Sequence, residues 1–129
     1  MNAQDLMTAD PATVSTKTTV AEAWDVMREM GIRHLPVVDG STLVGMLSDR
    51  DFARMAAEEF RRGLATEVVR LMSADVITVG PETDLGDVVD VFIENRVGAV
   101  PVVTSGGELT GIVSYLDVLR VVRDTLEDA

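Results

Sequence analysis

The amino-acid sequence predicts an α/β (α+β) fold made of two β-α-β-β-α repeats packed with pseudo-two-fold symmetry. The first observation behind this is that the chain matches itself. Leu6-Met7-Thr8-Ala9-Asp10 returns as Leu71-Met72-Ser73-Ala74-Asp75, and Pro36-Val37-Val38 as Pro101-Val102-Val103, both at an offset of 65. Beyond Ser41 the offset is 66, so Gly45, Ser48, Asp51 and Arg54 meet Gly111, Ser114, Asp117 and Arg120. The second observation is that the hydrophobic period changes from strand-like to helix-like in the same order within each copy. The extra residue falls among turn formers, Asp39-Gly40-Ser41 against Thr104-Ser105-Gly106-Gly107, and marks a longer hairpin loop. The repeats are assigned to residues 1–62 and 63–129.

Each copy opens with a short β-rich piece, Ala12-Thr13-Val14 or Val76-Ile77-Thr78-Val79. A helix follows. Val20, Ala23, Trp24, Met27 and Met30 are spaced by three and four in the first copy, and Leu85, Val88, Val89 and Phe92 form the stripe in the second. Thr19-Val20-Ala21-Glu22 has the spacing of a capping box, and Gly31 is a C-terminal stop. Trp24 and Met27 lie on the apolar face and belong to the core. Two strands joined by the glycine-containing turn come next: Leu35–Val38 with Leu43–Leu47, and Val100–Val103 with Leu109–Val113. Proline at the start of a pairing strand is an edge or strand-start signal in both copies. Helices over about 49–60 and 115–126 close the copies, and Thr66–Met72 is expected to form a short connecting helix after Gly63. One copy of this size buries little core alone, whereas two packed copies leave two equivalent clefts, a common ligand location.

Composition removes several classes of function. Among 129 residues, 22 are acidic and 11 basic, for a formal charge of −11, while 47% are hydrophobic. A chain this apolar folds, and one this acidic is a poor partner for nucleic acid or an anionic membrane. Met1-Asn2-Ala3-Gln4-Asp5 has no basic n-region and no apolar run approaches about 18 residues, so neither a signal peptide nor a membrane span is expected and the expected location is cytoplasmic. With no cysteine there is no disulfide framework and no thiolate metal site. One lysine among the 11 basic residues fits a GC-rich bacterial genome. His34 is the single histidine and Lys17 the single lysine; there is no G-x-S-x-G nucleophile motif and no H-E-x-x-H metal spacing. The chain is therefore expected not to be an enzyme, with no catalytic residues and no metal.

The chemistry-bearing constellation is Gly45-Met46-Leu47-Ser48-Asp49-Arg50-Asp51 with its counterpart Gly111-Ile112-Val113-Ser114-Tyr115-Leu116-Asp117. Each is a strand, then Ser-x-x-Asp, then a helix. By itself Ser-x-x-Asp is a capping pair, the hydroxyl accepting from an early helix N–H and the acid sitting at the positive end of the dipole. The same geometry presents a hydroxyl and a carboxylate to a cleft, where a carboxylate can accept both hydroxyls of a ribose diol. The residues leave both uses open.

The Leu-Met-x-Ala-Asp starts, the two Pro-Val-Val strands and the paired Gly-h-h-Ser-x-x-Asp stretches (h, hydrophobic) together resemble a tandem pair of CBS domains (cystathionine-β-synthase domains), the module also called a Bateman domain. The resemblance runs from about Ala3 to Val122. It implies a stand-alone regulatory module that binds AMP, ADP, ATP, NAD or S-adenosylmethionine and signals to a regulated protein partner by conformational change. It implies that Asp51 and Asp117 hold ribose hydroxyls and that Ser48 and Ser114 meet ribose or phosphate. It also implies crossed sites, Asp51 with Val76, Ile77 and Thr78, and Asp117 with Ala12, Thr13 and Val14. Met46-Leu47 and Ile112-Val113 would line the base pocket or fill the core, and Tyr115 would stack on a ring or fill space. No cofactor is required, and Mg²⁺ enters only as a nucleotide counter-ion. A homodimer is expected, through Val118-Leu119-Val121-Val122 and Trp24-Met27-Met30.

The copies are not interchangeable. Arg33-His34 aligns with Gly98-Ala99, and Arg50 with Leu116. Arg33, His34 and Arg50 are thus candidate phosphate contacts, and one site is expected to hold phosphate more strongly. The alternative function is a ligand-free interaction and dimerisation scaffold in which Ser-x-x-Asp only caps helices.

Overall fold

The structure is a computed structural model that describes residues 1–55, 61 and 65–128. In chain order its elements are α1 (Ala3–Leu6), β1 (Thr8–Ala9), β2 (Val14–Ser15), α2 (Val20–Met30), β3 (His34–Asp39), β4 (Thr42–Ser48), α3 (Asp49–Ala53), a 3₁₀ turn (Val68–Arg70), α4 (Leu85–Asn95), β5 (Ala99–Val103), β6 (Leu109–Ser114) and α5 (Tyr115–Glu127). The part of the first closing helix expected over 56–60 lies outside the described residues, as does Gly63. The connecting helix expected over 66–72 is reduced to the 3₁₀ turn.

Local signals set the helix ends. The Thr19 hydroxyl accepts from the Glu22 N–H at 3.2 Å, and the Glu22 carboxylate accepts from the Thr19 N–H at 3.2 Å and its hydroxyl at 2.9 Å, the capping box that starts α2. These bonds hold the Glu22 carboxyl below its ordinary pKa. Gly31 ends the helix in the left-handed region, φ 64°. In the second copy Arg96 holds the same cap, φ 52°, a conformation that disfavours an L side chain by about 1 kcal/mol.

Two three-stranded sheets form, in the orders β2-β3-β4 and β1-β6-β5. The hairpins repeat one another down to a bulge. Val37 faces Gly45 and Val38 faces Leu43, skipping Val44; Val102 faces Gly111 and Val103 faces Leu109, skipping Thr110. The first turn is Gly40-Ser41 between paired Asp39 and Thr42, with Gly40 at φ 63°, and the second is longer, as the change of offset predicts.

Two strand expectations need correction. Pro36 and Pro101 are not on edges: each is the third residue of its strand, with partners on both sides. The missing N–H falls where no ladder bond is needed. Pro36 faces Met46, whose own N–H and C=O turn away to Ser73 at 3.0 and 2.9 Å. On the other side of β5, Val79 donates to the Pro101 C=O at 3.1 Å and accepts from the Val103 N–H at 2.9 Å. Residues before Val79 find no N–H on Pro101 to pair with. Hence the opening pieces are shorter than expected. The first pairs only at Val14–Ser15, and of Val76–Val79 only Val79 bridges, to Val102.

The compact units do not coincide with the sequence repeats at 1–62 and 63–129. One unit is Ala12–Val76; the other joins Met1–Pro11 to Ile77–Ala129. Each repeat's lead-in segment has been given to the other repeat's unit. The bonds match at the 65-residue offset: Ala3 N–H to Thr83 C=O at 2.8 Å and Val68 N–H to Thr18 C=O at 2.8 Å, Leu85 N–H to Met1 C=O at 3.0 Å and Val20 N–H to Thr66 C=O at 2.8 Å. Lead-in residues close the outer edge of each sheet, through Thr8–Ile112 and Ala9–Gly111 in one unit and Met46–Ser73 in the other. The lead-in methionines lie where a β-carbon would stand on the facing glycine, Met7 against Gly111 and Met72 against Gly45.

Each unit has its own core. Val14, Val20, Ala23, Met27, Leu35, Val37, Leu47, Phe52 and Val68 pack in one, with Trp24 stacked at a tilt on Phe52, ring centroids 4.9 Å apart. The other holds Ala3, Leu6, Val79, Val88, Val100, Val102 and Val113.

A β-carbon at Gly111 would meet the Met7 thioether and also the Thr8 carbonyl oxygen, 2.8 Å away, whereas at Gly45 it would meet only the flexible Met72 side chain. Gly111→Ala should therefore destabilise by about 1–3 kcal/mol in urea unfolding, and Gly45→Ala by less. Met72→Ala should recover part of the Gly45→Ala loss. Equal losses from the two glycine changes would contradict the account.

Candidate functional site

The two Ser-x-x-Asp stretches form matching strand-to-helix junctions. Ser48 ends β4 in an extended conformation and Asp49 begins α3, which turns Asp51 back over the serine. The Asp51 Oδ2 accepts the Ser48 N–H at 2.8 Å and the Ser48 hydroxyl at 3.3 Å. At the start of α5, the Asp117 Oδ2 accepts the Ser114 N–H at 2.8 Å and the Ser114 hydroxyl at 3.2 Å. Each carboxylate thus engages its serine through one oxygen, which fixes its rotamer and leaves the other oxygen to decide what it can bind.

That second oxygen differs between the junctions. The Asp117 Oδ1 takes a 3.3 Å bond from Arg120 Nη1, with the two side chains 15% and 62% exposed. Asp51 is buried, at 9% exposure, and among the described residues its Oδ1 has no hydrogen-bond partner. Sequence reasoning passed over the Asp117–Arg120 pair. Its signal was the i,i+3 spacing on a helix, which Asp51 and Arg54 share.

Arg33 and His34 do come to the first junction. The Asp49 N–H donates to the Arg33 C=O at 3.0 Å, and His34 faces Ser48 across the β3–β4 pair. Burial is the main cause that pushes the half-buried His34 imidazole below its ordinary value of 6.5. Asp49 and Asp51 oppose that shift, while Arg33 and Arg50 reinforce it. Asp49, not singled out in the sequence, is therefore part of this electrostatic cluster. The second junction has the same backbone frame without the charges: the Tyr115 N–H donates to the Gly98 C=O at 3.3 Å, and Ala99 faces Ser114. Arg50 and its counterpart Leu116 are both exposed.

The remaining candidates lie apart from these charged groups in sequence. Ala12, Thr13 and Val14 belong to the unit that holds Asp51, lead into β2, and run from half-buried through exposed to buried; Val76 closes that unit, half-buried. Ile77 and Thr78 belong to the unit that holds Asp117, and Ile77 is exposed. Leu47 and Val113 are fully buried core residues, whereas Met46 and Ile112 retain some exposure. Tyr115 is exposed rather than filling space. Among the described residues no group of three or more His, Cys, Asp or Glu side chains could hold a metal, and no helix is long and apolar enough to cross a membrane.

A two-fold repeat with a serine-bonded carboxylate at each strand-to-helix junction defines a tandem α/β module, and comparison with known proteins identifies it. The CBS domain model matches twice, over residues 3–58 and 66–124, and the chain belongs to that family as a tandem pair. The CBS domain-containing protein YhcV of Bacillus subtilis is 33% identical over 114 residues, 88% of this chain and 80% of that protein. An inosine-5'-monophosphate dehydrogenase of Korarchaeum cryptofilum is 36% identical over 116 residues, 90% of this chain but only 23% of the dehydrogenase. The chain thus spans about a quarter of that enzyme. The crystal structure of CBSX2 in complex with AMP superposes with a TM-score of 0.86 at 28% identity, covering 96% of this chain and 97% of that one.

The lowered His34 pKa makes stability depend on pH with a definite sign. Below its ordinary value of 6.5 the unfolded chain takes up a proton that the native imidazole resists, so stability falls as pH drops through that window. His34→Gln should flatten the change in urea midpoint between about pH 7.5 and about pH 5.5 relative to the unmodified protein. An unchanged slope would refute the lowered His34 pKa.

Proposed function

We propose that this CBS pair is a regulatory module that binds adenine nucleotides, with Asp51 and Asp117 accepting ribose hydroxyls and Ser48 and Ser114 beside the ribose or phosphate. In this proposal backbone groups of Ala12, Thr13 and Val14 and of Val76, Ile77 and Thr78 read the adenine edge, and Arg33, His34 and Arg50 supply positive charge. The observation that carries the reading is the pair of prealigned carboxylates, each fixed by a 2.8 Å bond from its serine N–H. A related structure of the same fold that contains AMP supports the ligand class. Ligand binding shifts a conformational equilibrium only through differential affinity for two arrangements, and a partner protein reads that shift.

Thermal unfolding with AMP, ADP, ATP, NAD or S-adenosylmethionine tests the reading. Saturation at about 100 times Kd adds about 2.7 kcal/mol, a rise of several degrees. Asp51→Asn together with Asp117→Asn should abolish the rise. No shift with any of the five at millimolar concentration would sink the proposal. The second reading, a scaffold in which the aspartates only cap helices, is favoured by the capping geometry of the same bonds. It predicts losses of about 0.5–2 kcal/mol on aspartate-to-alanine changes with no effect on any ligand.

A homodimer is part of the proposal. On α5, Val118 and Val121 turn to the core, while Leu116, Leu119, Val122 and Leu126 are exposed at helical spacing. A second copy is the proposed cover for this face. Sedimentation equilibrium should give a dimer, and Leu119→Glu a monomer; a monomeric unmodified protein at tens of micromolar would overturn it.

A further inference from the structure

We infer that the two junctions take different classes of adenosine ligand: the Asp51 junction a 5′-phosphorylated nucleotide, the Asp117 junction an unphosphorylated nucleoside. This rests on the nucleotide-binding proposal above and sharpens it.

The duplication supplies an internal control. Both junctions share the serine-to-aspartate bonds, the same strand register and the same backbone bond from the first helical residues to the preceding loop. Side chains at 33, 34 and 50 therefore occupy backbone positions equivalent to 98, 99 and 116. The first set is Arg, His and Arg; the second is Gly, Ala and Leu. A phosphate beside a ribose-holding carboxylate meets repulsion unless cations stand next to it. Arg33 and Arg50 are exposed, and among the described residues neither forms a salt bridge, in a chain with twice as many acids as bases. Both guanidinium groups are near enough to His34 to act on its charge, and such groups take phosphate oxygens bidentately. Half-buried His34 adds a donor on the same strand pair.

The second junction has the opposite character. Its cation, Arg120, is already tied to the Asp117 Oδ1, the oxygen a ribose diol would need. Exposed Tyr115 and Leu116 with Ala99 offer apolar surface where the first junction offers charge. A ligand there must compete with Arg120 for the carboxylate and meets no cationic side chain at positions 98, 99 and 116. A neutral nucleoside fits those terms, with weaker binding than at Asp51.

Calorimetric titration with AMP and with adenosine tests this on the full chain, reading the ratio of the two affinities. AMP should bind the unmodified protein about tenfold or more tighter than adenosine. That ratio should fall close to one in Arg33→Ala/Arg50→Ala, whose exposed side chains can be removed without disturbing the core. Asp51→Asn should remove the AMP preference, and Asp117→Asn should retain it, with thermal melts confirming that both variants fold. An AMP preference that survives the double arginine change, or that disappears with Asp117→Asn, would overturn the assignment. Equal affinity for AMP and adenosine in the unmodified protein would also overturn it while leaving nucleotide binding intact. Only the absence of binding by both would count against the nucleotide-binding proposal itself.

Discussion

Both sheets are closed on their outer edge by a lead-in segment that the sequence assigns to the other repeat, and the fit of that segment is the constraint on which the rest of the structure depends. A sheet edge needs partners for its N–H and C=O groups. Here they come from Thr8–Asp10 for β6 and from Ser73 for β4. The approach is close enough that the methionine one residue ahead lies where a β-carbon of the facing glycine would stand. Gly45 and Gly111 are thus required by contact, since neither adopts a positive φ. The same segments bury Ala3 and Val68 completely and so complete the two cores. Neither repeat can finish its own unit, which couples the folding of the first ten residues to contacts about a hundred positions away, such as Met7 with Thr110, 103 residues apart.

That architecture explains why the two junctions have matching backbone frames. Ser48 and Ser114 end strands whose registers are pinned on one side by a bulged hairpin and on the other by the exchanged segment. The carboxylates three residues later are then fixed by two bonds each. In a chain of charge −11, selectivity for an anionic ligand cannot come from the overall field, which opposes it. It has to come from a few cations at short range, and duplication followed by divergence at positions 33, 34 and 50 concentrates them at one junction. The two junctions differ in local charge on a shared backbone frame.

Much of this was legible in the sequence because it depends on short-range signals. Thr19 and Glu22 cap α2 and Gly31 stops it, at spacings that hydrogen-bond geometry alone imposes. Internal repetition fixed the order of elements and the hairpin loop difference, and the Ser-x-x-Asp spacing located the two carboxylates. Pro36 and Pro101 lie inside their strands rather than at edges or starts, which the sequence does not reveal because an isolated proline shows only a missing donor. The turn of Met46 toward Ser73 and the start of the parallel ladder at Val79 are what make that donor unnecessary.

The sequence by itself determined two equivalent helix-capped junctions and the unequal charges beside them, since composition and short-range spacing suffice for both. Tertiary structure alone decided which segment completes which unit, because two repeats with nearly the same lead-in, Leu6-Met7 and Leu71-Met72, are locally indistinguishable. It also decided that Arg120 bonds Asp117, whereas among the described residues no such bond joins Arg54 to Asp51. The i,i+3 spacing is the same in both copies, so the sequence alone does not separate the two outcomes.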